Sequence, residues 1–247
     1  MTDFPTPHKR TIIKETISSE ALMEERGLRV FLPPGYQDIL SYPVVYGQDG
    51  EDLFNFGRAA TIAQQLILDG VIEPLIIVGI DVDKTKRTSE YDPEGSRFAE
   101  YTSFVATELV PFVERRFAAR QDVQSRVLAG DSLGGTVSLH LALDYPHLFR
   151  RVMALSGAFY PATQRRLERA ADLSALEIYM LIGEQETNVS TNRGEFDFLA
   201  LNRASKQLLE ERGAKLTYLE RPGTHVWGFW QAQLPDALAY LFPEAPV

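Results

Sequence analysis

A serine, a histidine and a carboxylate can together carry out acyl transfer without a metal, and one serine here stands in a telling setting. Gly130-Asp131-Ser132-Leu133-Gly134 is a G-x-S-x-G pattern, and it closes the apolar run Val127-Leu128-Ala129. A segment with helical character, Thr136 to Leu143, follows at once. The order predicts a strand, a tight turn with Ser132 at its apex, and a helix. Glycines two before and two after the serine leave room for a turn that side chains would block, and they leave the hydroxyl exposed above the end of a sheet. The backbone N–H of Leu133, next to the nucleophile and at the helix start, is then one donor for an oxyanion. The plain alternative is a Gly-Ser turn without chemistry, and the flanking strand and helix weigh against it.

Ser132 needs a base. Four histidines are available, so elimination is feasible. His8 precedes the first strand, and His140 lies about two helical turns beyond Ser132, which suits packing or a core hydrogen bond. His147, in Tyr145-Pro146-His147-Leu148-Phe149, sits before a strand and so at the wrong end of the sheet. His225 follows the last strand in Pro222-Gly223-Thr224-His225 and is the one histidine placed to meet Ser132. A neutral imidazole can take the serine proton near pH 7. The acid is expected between these two in the chain, after the penultimate strand, where Gly183-Glu184-Gln185-Glu186 lies. Glu186 is the first candidate and Glu184 the second, with Glu195 and Asp197 further out; each could equally be a solvated surface carboxylate. The second oxyanion donor is expected after the Tyr42–Tyr46 strand, as the N–H of Glu51 in a loop shaped by Asp49-Gly50; a simple Asp-Gly turn is the alternative.

Further residues are candidates for the substrate pocket: Asp49, Gly50, Arg87, Tyr91, Asp131, Tyr160 and Trp227. Arg87 could instead pair with Glu90 or Glu100 while Tyr91 packs, and Asp131 reads as a local structural or electrostatic residue rather than the triad acid.

The elements around these residues alternate. Residues 11–17 and 28–32 read as an antiparallel entry, 42–46 as a short buried strand and 47–52 as a polar glycine-containing loop. A helix over about 56–68, a continuously apolar central strand over 74–80, and a long polar loop from 81 to about 97 come next. Residues 98–117 form an amphipathic helix, 151–155 a strand, and 159–173 a short basic excursion. A strand at 176–182, a helix at 196–212, a strand at 215–219 and a helix from about 227 to 241 complete the chain. This order implies an α/β fold: a mostly parallel sheet with helices on both faces, one domain over residues 1–247, and a site at the carboxyl ends of the strands. The excursion is too short for a large lid, which favours small or exposed esters.

Composition sets outer bounds. The chain has 247 residues, 45% of them hydrophobic, enough for a sizeable core. It has no cysteine, which excludes disulfides, thiolate metal sites and a cysteine nucleophile. A net charge of −9 argues against nucleic acid or an anionic membrane as the main partner. No signal peptide or membrane-spanning run is visible, so a cytoplasmic location is expected.

Taken together, these motifs resemble the esterase D-like family of α/β-hydrolases, which includes siderophore (enterochelin) esterases, S-formylglutathione hydrolases and mycolyl transferases. The resemblance rests on Tyr42-Pro43-Val44-Val45-Tyr46 with Asp49-Gly50, on Arg87…Glu90-Tyr91, on Gly130 to Gly135, and on Pro222-Gly223-Thr224-His225-Val226-Trp227…Trp230, and it runs from about residue 27 onward. It implies an α/β-hydrolase fold, Ser132 as nucleophile, His225 as base and Glu186 as acid. The expected reaction is carboxylic-ester hydrolysis through an acyl-enzyme, on small acyl or siderophore-type esters, with no metal or organic cofactor. Many relatives self-associate, so a homo-oligomer is possible. An acyl transferase of the same fold and a non-catalytic binding module are the competing readings.

Overall fold

Apolar residues that alternate sides along each strand bury both faces of one sheet. In the strand Val44–Gly47, Val44 and Tyr46 join one core and Val45 the other. The computed structural model describes residues 10–244; His8 lies outside the described residues.

The chain enters as a hairpin of β1 (Thr11–Ser19) and β2 (Glu24–Leu32). Then come β3 (Val44–Gly47), α1 (Gly50–Asn55), α2 (Ala59–Leu68), β4 (Ile76–Ile80) and α3 (Arg87–Tyr91). A long helical stretch runs through α4 (Phe98–Ser103), a π-helical segment (Phe104–Leu109) and α5 (Val110–Arg116). Next are β5 (Arg126–Asp131), α6 (Leu133–Asp144), β6 (Arg151–Leu155), α7 (Pro161–Glu168) and β7 (Glu177–Gly183). A small separate hairpin, β8 (Val189–Thr191) with β9 (Gly194–Phe196), precedes α8 (Phe198–Glu211), β10 (Lys215–Arg221) and α9 (Trp227–Leu241).

Among the described residues the main sheet has eight strands in the order β1-β2-β4-β3-β5-β6-β7-β10. From β4 to β10 all neighbours are parallel, and β2 is antiparallel to both β1 and β4. The carboxyl ends of β3, β5, β6, β7 and β10 therefore share one edge. One core lies between the sheet and α1, α2 and α9, through Leu53, Ala63, Trp230 and Leu238. The other lies beneath α4 to α8, through Tyr101, Val137, Leu167 and Phe198. Helix α6 is buried on all sides, residues 133 to 142 without exception, as expected of a helix packed inside a layer.

The mixed sheet, its antiparallel entry and the helices on both faces match the sequence reading; four local details differ. Residues 50–55 are helical rather than loop, because Asp49 takes a left-handed conformation (φ 52°) that turns the chain at once into α1. The long polar loop after β4 contains α3. The helix expected over 98–117 carries a π segment just ahead of Pro111, which has no N–H for the carbonyl four residues back. The helix expected from 196 begins at Phe198, because Phe196 pairs with Val189 in the small hairpin. Among the described residues, no helix is long and apolar enough to cross a membrane.

Candidate active site

Ser132 occupies the turn between β5 and α6 with φ 52° and ψ −123°, a conformation that costs a non-glycine residue about 1–3 kcal/mol. Its peptide is pinned from several sides. Its N–H donates to the Leu155 carbonyl (3.0 Å), and its own carbonyl accepts from Ala158 (3.0 Å) and Gly135 (3.1 Å). The turn is tight enough that a Cβ at Gly130 would lie 2.3 Å from the Gly134 carbonyl carbon. That close crossing is why a glycine stands two residues before the serine. The serine itself is half-buried, and the first N–H groups of α6, beginning with Leu133, have no acceptor within the helix.

Two strand ends away, Glu186 follows β7 and His225 follows β10. His225 Nδ1 lies 2.6 Å from Glu186 Oε2, and Glu186 has no exposed surface. A carboxylate only accepts, so Nδ1 carries the proton and Nε2 is left as the basic nitrogen. The other glutamate oxygen, Oε1, takes two donors: the Ser156 hydroxyl at 2.6 Å and the Gly183 N–H at 3.0 Å. The Ser156 oxygen in turn accepts from the indole N–H of Trp230 at 2.8 Å. The imidazole is boxed by the edges of Phe198 (4.5 Å between ring centres) and Trp230 (4.9 Å).

The loop after β3 comes up on the other side of Ser132. A Cβ at Gly134 would lie 3.2 Å from Asp49 Oδ2, so this loop abuts the start of α6. Asp49 is buried, and Arg87 grips its carboxylate with Nε at 2.7 Å and Nη2 at 2.8 Å, while Lys84 stands 3.5 Å away. The Asp49 N–H donates to the Tyr91 hydroxyl at 3.2 Å, and the Tyr101 hydroxyl donates to Gln48 Oε1. Burial, with the Asp49 charge, holds the Tyr91 phenol well above its ordinary range. Asp131 is also buried, and among the described residues its Oδ1 finds no partner. Burial first, then the Asp49 charge, pushes its carboxyl up to about 7; Arg87 opposes this incompletely. One guanidinium serves two carboxylates here, and it reaches Asp131 only at the backbone carbonyl, at 3.4 Å.

Several sequence expectations can now be placed. Ser132, Glu186 and His225 all stand at the carboxyl edge, and Glu186 rather than Glu184 meets the histidine; Glu184 is exposed, as is Glu195, and Asp197 caps α8 through the Ala200 N–H. His140 is buried and bonded to Thr163 at 3.0 Å, and burial lowers it to about 4. The Glu51 side chain points to Arg29 (3.1 Å), and its N–H lies in the first turn of α1. The residues expected at the pocket are placed as follows. Tyr91, Asp49, Gly50 and Asp131 are buried at the loop after β3 and the end of β5. Arg87 pairs with Asp49, not with Glu90 or Glu100; Glu90 is taken by Arg26 at 2.8 Å and Arg97 at 3.3 Å. Tyr160 is buried beside Phe196 (4.7 Å) and under the Arg193 guanidinium (4.9 Å). Trp227 does keep exposed surface next to His225, its ring edge-on to Trp230 at 5.4 Å. Ser156 was missed. Its positive φ (49°) and its bond to Glu186 join strand ends that no spacing in the chain connects.

Comparison with known proteins agrees with this architecture. A family model described as "Putative esterase" matches residues 19–241. A Bacillus subtilis protein, "Uncharacterized protein YjcH", is 37% identical over 234 residues, spanning 94% of this chain and 98% of that protein. A solved ferulic acid esterase superposes with a TM-score of 0.83 at 20% identity, covering 95% of this chain and 98% of its own. The enterobactin esterase of Shigella flexneri, solved in the presence of 2,3-dihydroxy-N-benzoyl-glycine, gives 0.80 at 22% identity over 93% of this chain and 59% of its own. With a family match across nearly its whole length and this sheet order, the chain belongs to the "Putative esterase" family, carboxylic ester hydrolases of the α/β-hydrolase fold.

Proposed function

We propose that this chain hydrolyses carboxylic esters through an acyl-enzyme on Ser132, with His225 as general base and Glu186 as the acid that orients it. The observation that carries the reading is the 2.6 Å contact between His225 Nδ1 and a fully buried Glu186. With Nδ1–H committed to the carboxylate, Nε2 takes the Ser132 proton as the serine oxygen attacks the ester carbonyl. The oxyanion that forms accepts from the N–H groups of Leu133 and Glu51, at the starts of α6 and α1. The tetrahedral species collapses, and Nε2–H protonates the departing alcohol. Water, deprotonated by the same nitrogen, attacks the acyl-enzyme and releases the acid. No step calls for a metal.

The substrate class is a small or exposed ester, of short acyl or siderophore type. Between β6 and β7 the chain inserts only the eight-residue α7, and the named structural relatives act on ferulic acid esters and on enterobactin. Hydrolysis of p-nitrophenyl acetate, compared with methyl ferulate and a catecholate trilactone, tests the reading. Wild type is expected to hydrolyse at least one of these, and Ser132→Ala to lose about 10³-fold or more in kcat. A Ser132→Ala variant with near wild-type rates would overturn it.

A further inference from the structure

The environment of Glu186 points to a function for two residues that the hydrolytic scheme does not use. We propose that Ser156 is a positioning residue for the catalytic acid, itself set by Trp230: the indole N–H fixes the Ser156 oxygen, and the Ser156 hydroxyl fixes Glu186. The inference rests on the triad reading above and extends it.

The geometry is directional. Trp230 Nε1 can only donate, so in its 2.8 Å bond the Ser156 oxygen accepts. The Ser156 hydrogen is then free for one acceptor, and Glu186 Oε1 stands 2.6 Å away. The Gly183 N–H adds a second donor to the same oxygen at 3.0 Å. Oε1 is thus committed, and Oε2 is the oxygen left for His225. A glutamate has one more rotatable bond than an aspartate, so its carboxylate needs something to stop it swinging away. This pair of donors supplies that stop. Bulk water has no access to compete, because Ser156 and Glu186 have no exposed surface and Trp230 is buried.

The backbone points the same way. Ser156 is held at φ 49° at the carboxyl end of β6, next to Ser132 at the end of β5, which also has a positive φ of 52°. Its N–H bonds to the Leu181 carbonyl at 2.6 Å, tying it to β7, the strand that carries Glu186. A glycine would meet the backbone requirement more easily, yet a serine stands there, and its hydroxyl is what reaches Glu186. Trp230 also lies edge-on to His225, a ring contact that an aromatic replacement can keep.

The test uses kcat and KM on the best ester found for the wild type, with Ser156→Ala, Ser156→Gly, Trp230→Phe and the Ser156→Ala/Trp230→Phe double variant. Ser156→Gly removes the hydroxyl and relaxes the left-handed backbone, so it separates positioning from folding. Losing one hydrogen bond to a charged group is expected to lower kcat about 10- to 100-fold in both Ser156 variants, with KM nearly unchanged. Trp230→Phe keeps an aromatic ring facing His225 and loses the N–H, so a smaller fall is expected. The double variant should fall no further than Ser156→Ala alone, because Trp230 acts through Ser156. The far-downfield proton of His225 Nδ1–H in the NMR spectrum should shift or broaden in Ser156→Gly while the melting temperature holds. Full kcat in Ser156→Gly, or additive losses in the double variant, overturns the positioning role. Glu186→Gln is the control: if it too keeps full kcat, the triad reading fails and takes this inference with it, whereas a crippled Glu186→Gln beside an unaffected Ser156→Gly sinks only the inference.

Discussion

Replacing Asp131 by asparagine should stabilise the protein at neutral pH, although the residue adjoins Ser132, the proposed nucleophile. Asp131 is buried, its Oδ1 has no partner among the described residues, and the nearby Arg87 is already spent on Asp49. Its carboxyl stands near 7 in the folded chain against an ordinary 3.8. The folded state therefore keeps a proton that the unfolded chain has released. Stability from this group is complete below about pH 4 and is lost as the pH rises to about 7, at a total cost of about 4 kcal/mol. About 3 kcal/mol of that loss falls between pH 5 and pH 8. An asparagine side chain cannot ionise, so the variant lacks this slope, while every other titrating group is common to both proteins. Urea unfolding followed by the fluorescence of Trp227 and Trp230 measures the difference. Relative to wild type, Asp131→Asn should gain about 2–3 kcal/mol on going from pH 5 to pH 8, with an unchanged denaturant slope. A variant destabilised equally at both pH values would refute the reasoning, because Asp131 would then be an ordinary ionised partner in the folded state.

Three further outcomes follow from the same contacts. In Glu186→Gln, the Ser156 and Gly183 donors hold the amide oxygen at the Oε1 position and turn the amide nitrogen toward His225; the imidazole is forced into the wrong tautomer, and kcat should fall about 10³- to 10⁴-fold with little change in KM in steady-state assays. Arg87→Met leaves Asp49 buried with only Lys84 at 3.5 Å, so urea unfolding should show a loss of about 3–5 kcal/mol, most of it recovered in Arg87→Met/Asp49→Asn. Gly130→Ala places a Cβ 2.3 Å from the Gly134 carbonyl carbon, and calorimetry should show a melting temperature lowered by an overpacking cost of about 1–3 kcal/mol or more.

Which parts of this molecule were legible in the chain follows from physical range. The Ser132 turn is a local object: the apolar run, the two glycines and the helix are contiguous, so spacing alone displays it. Glu186 and His225 were reachable because strand order fixes which loops share the carboxyl edge. The partners of Arg87 were not, since Asp49 and Glu90 are equally plausible by charge, and only the fold decides that Glu90 goes to Arg26. The burial of the polar residues around the site was hidden for a related reason: Tyr91 looks like part of a solvated loop in the sequence, but that stretch folds inward as α3, and Asp131 ends the buried strand β5. Strands β8 and β9 have three residues each, too short to show a period. Ser156 is the sharpest miss, because a Ser-Gly at a strand end signals nothing until the neighbouring strand brings Glu186 within 2.6 Å.

The central claim is that Ser132 is the acyl-accepting nucleophile. Incubating wild type and His225→Ala with a fluorophosphonate and mapping the adduct by peptide mass spectrometry tests it most directly. The account predicts one phosphonyl group per wild-type chain, on the peptide containing Ser132, with loss of esterase activity in step and much slower labelling of His225→Ala. Adducts on another residue, or full esterase activity in a chain labelled at Ser132, would contradict it.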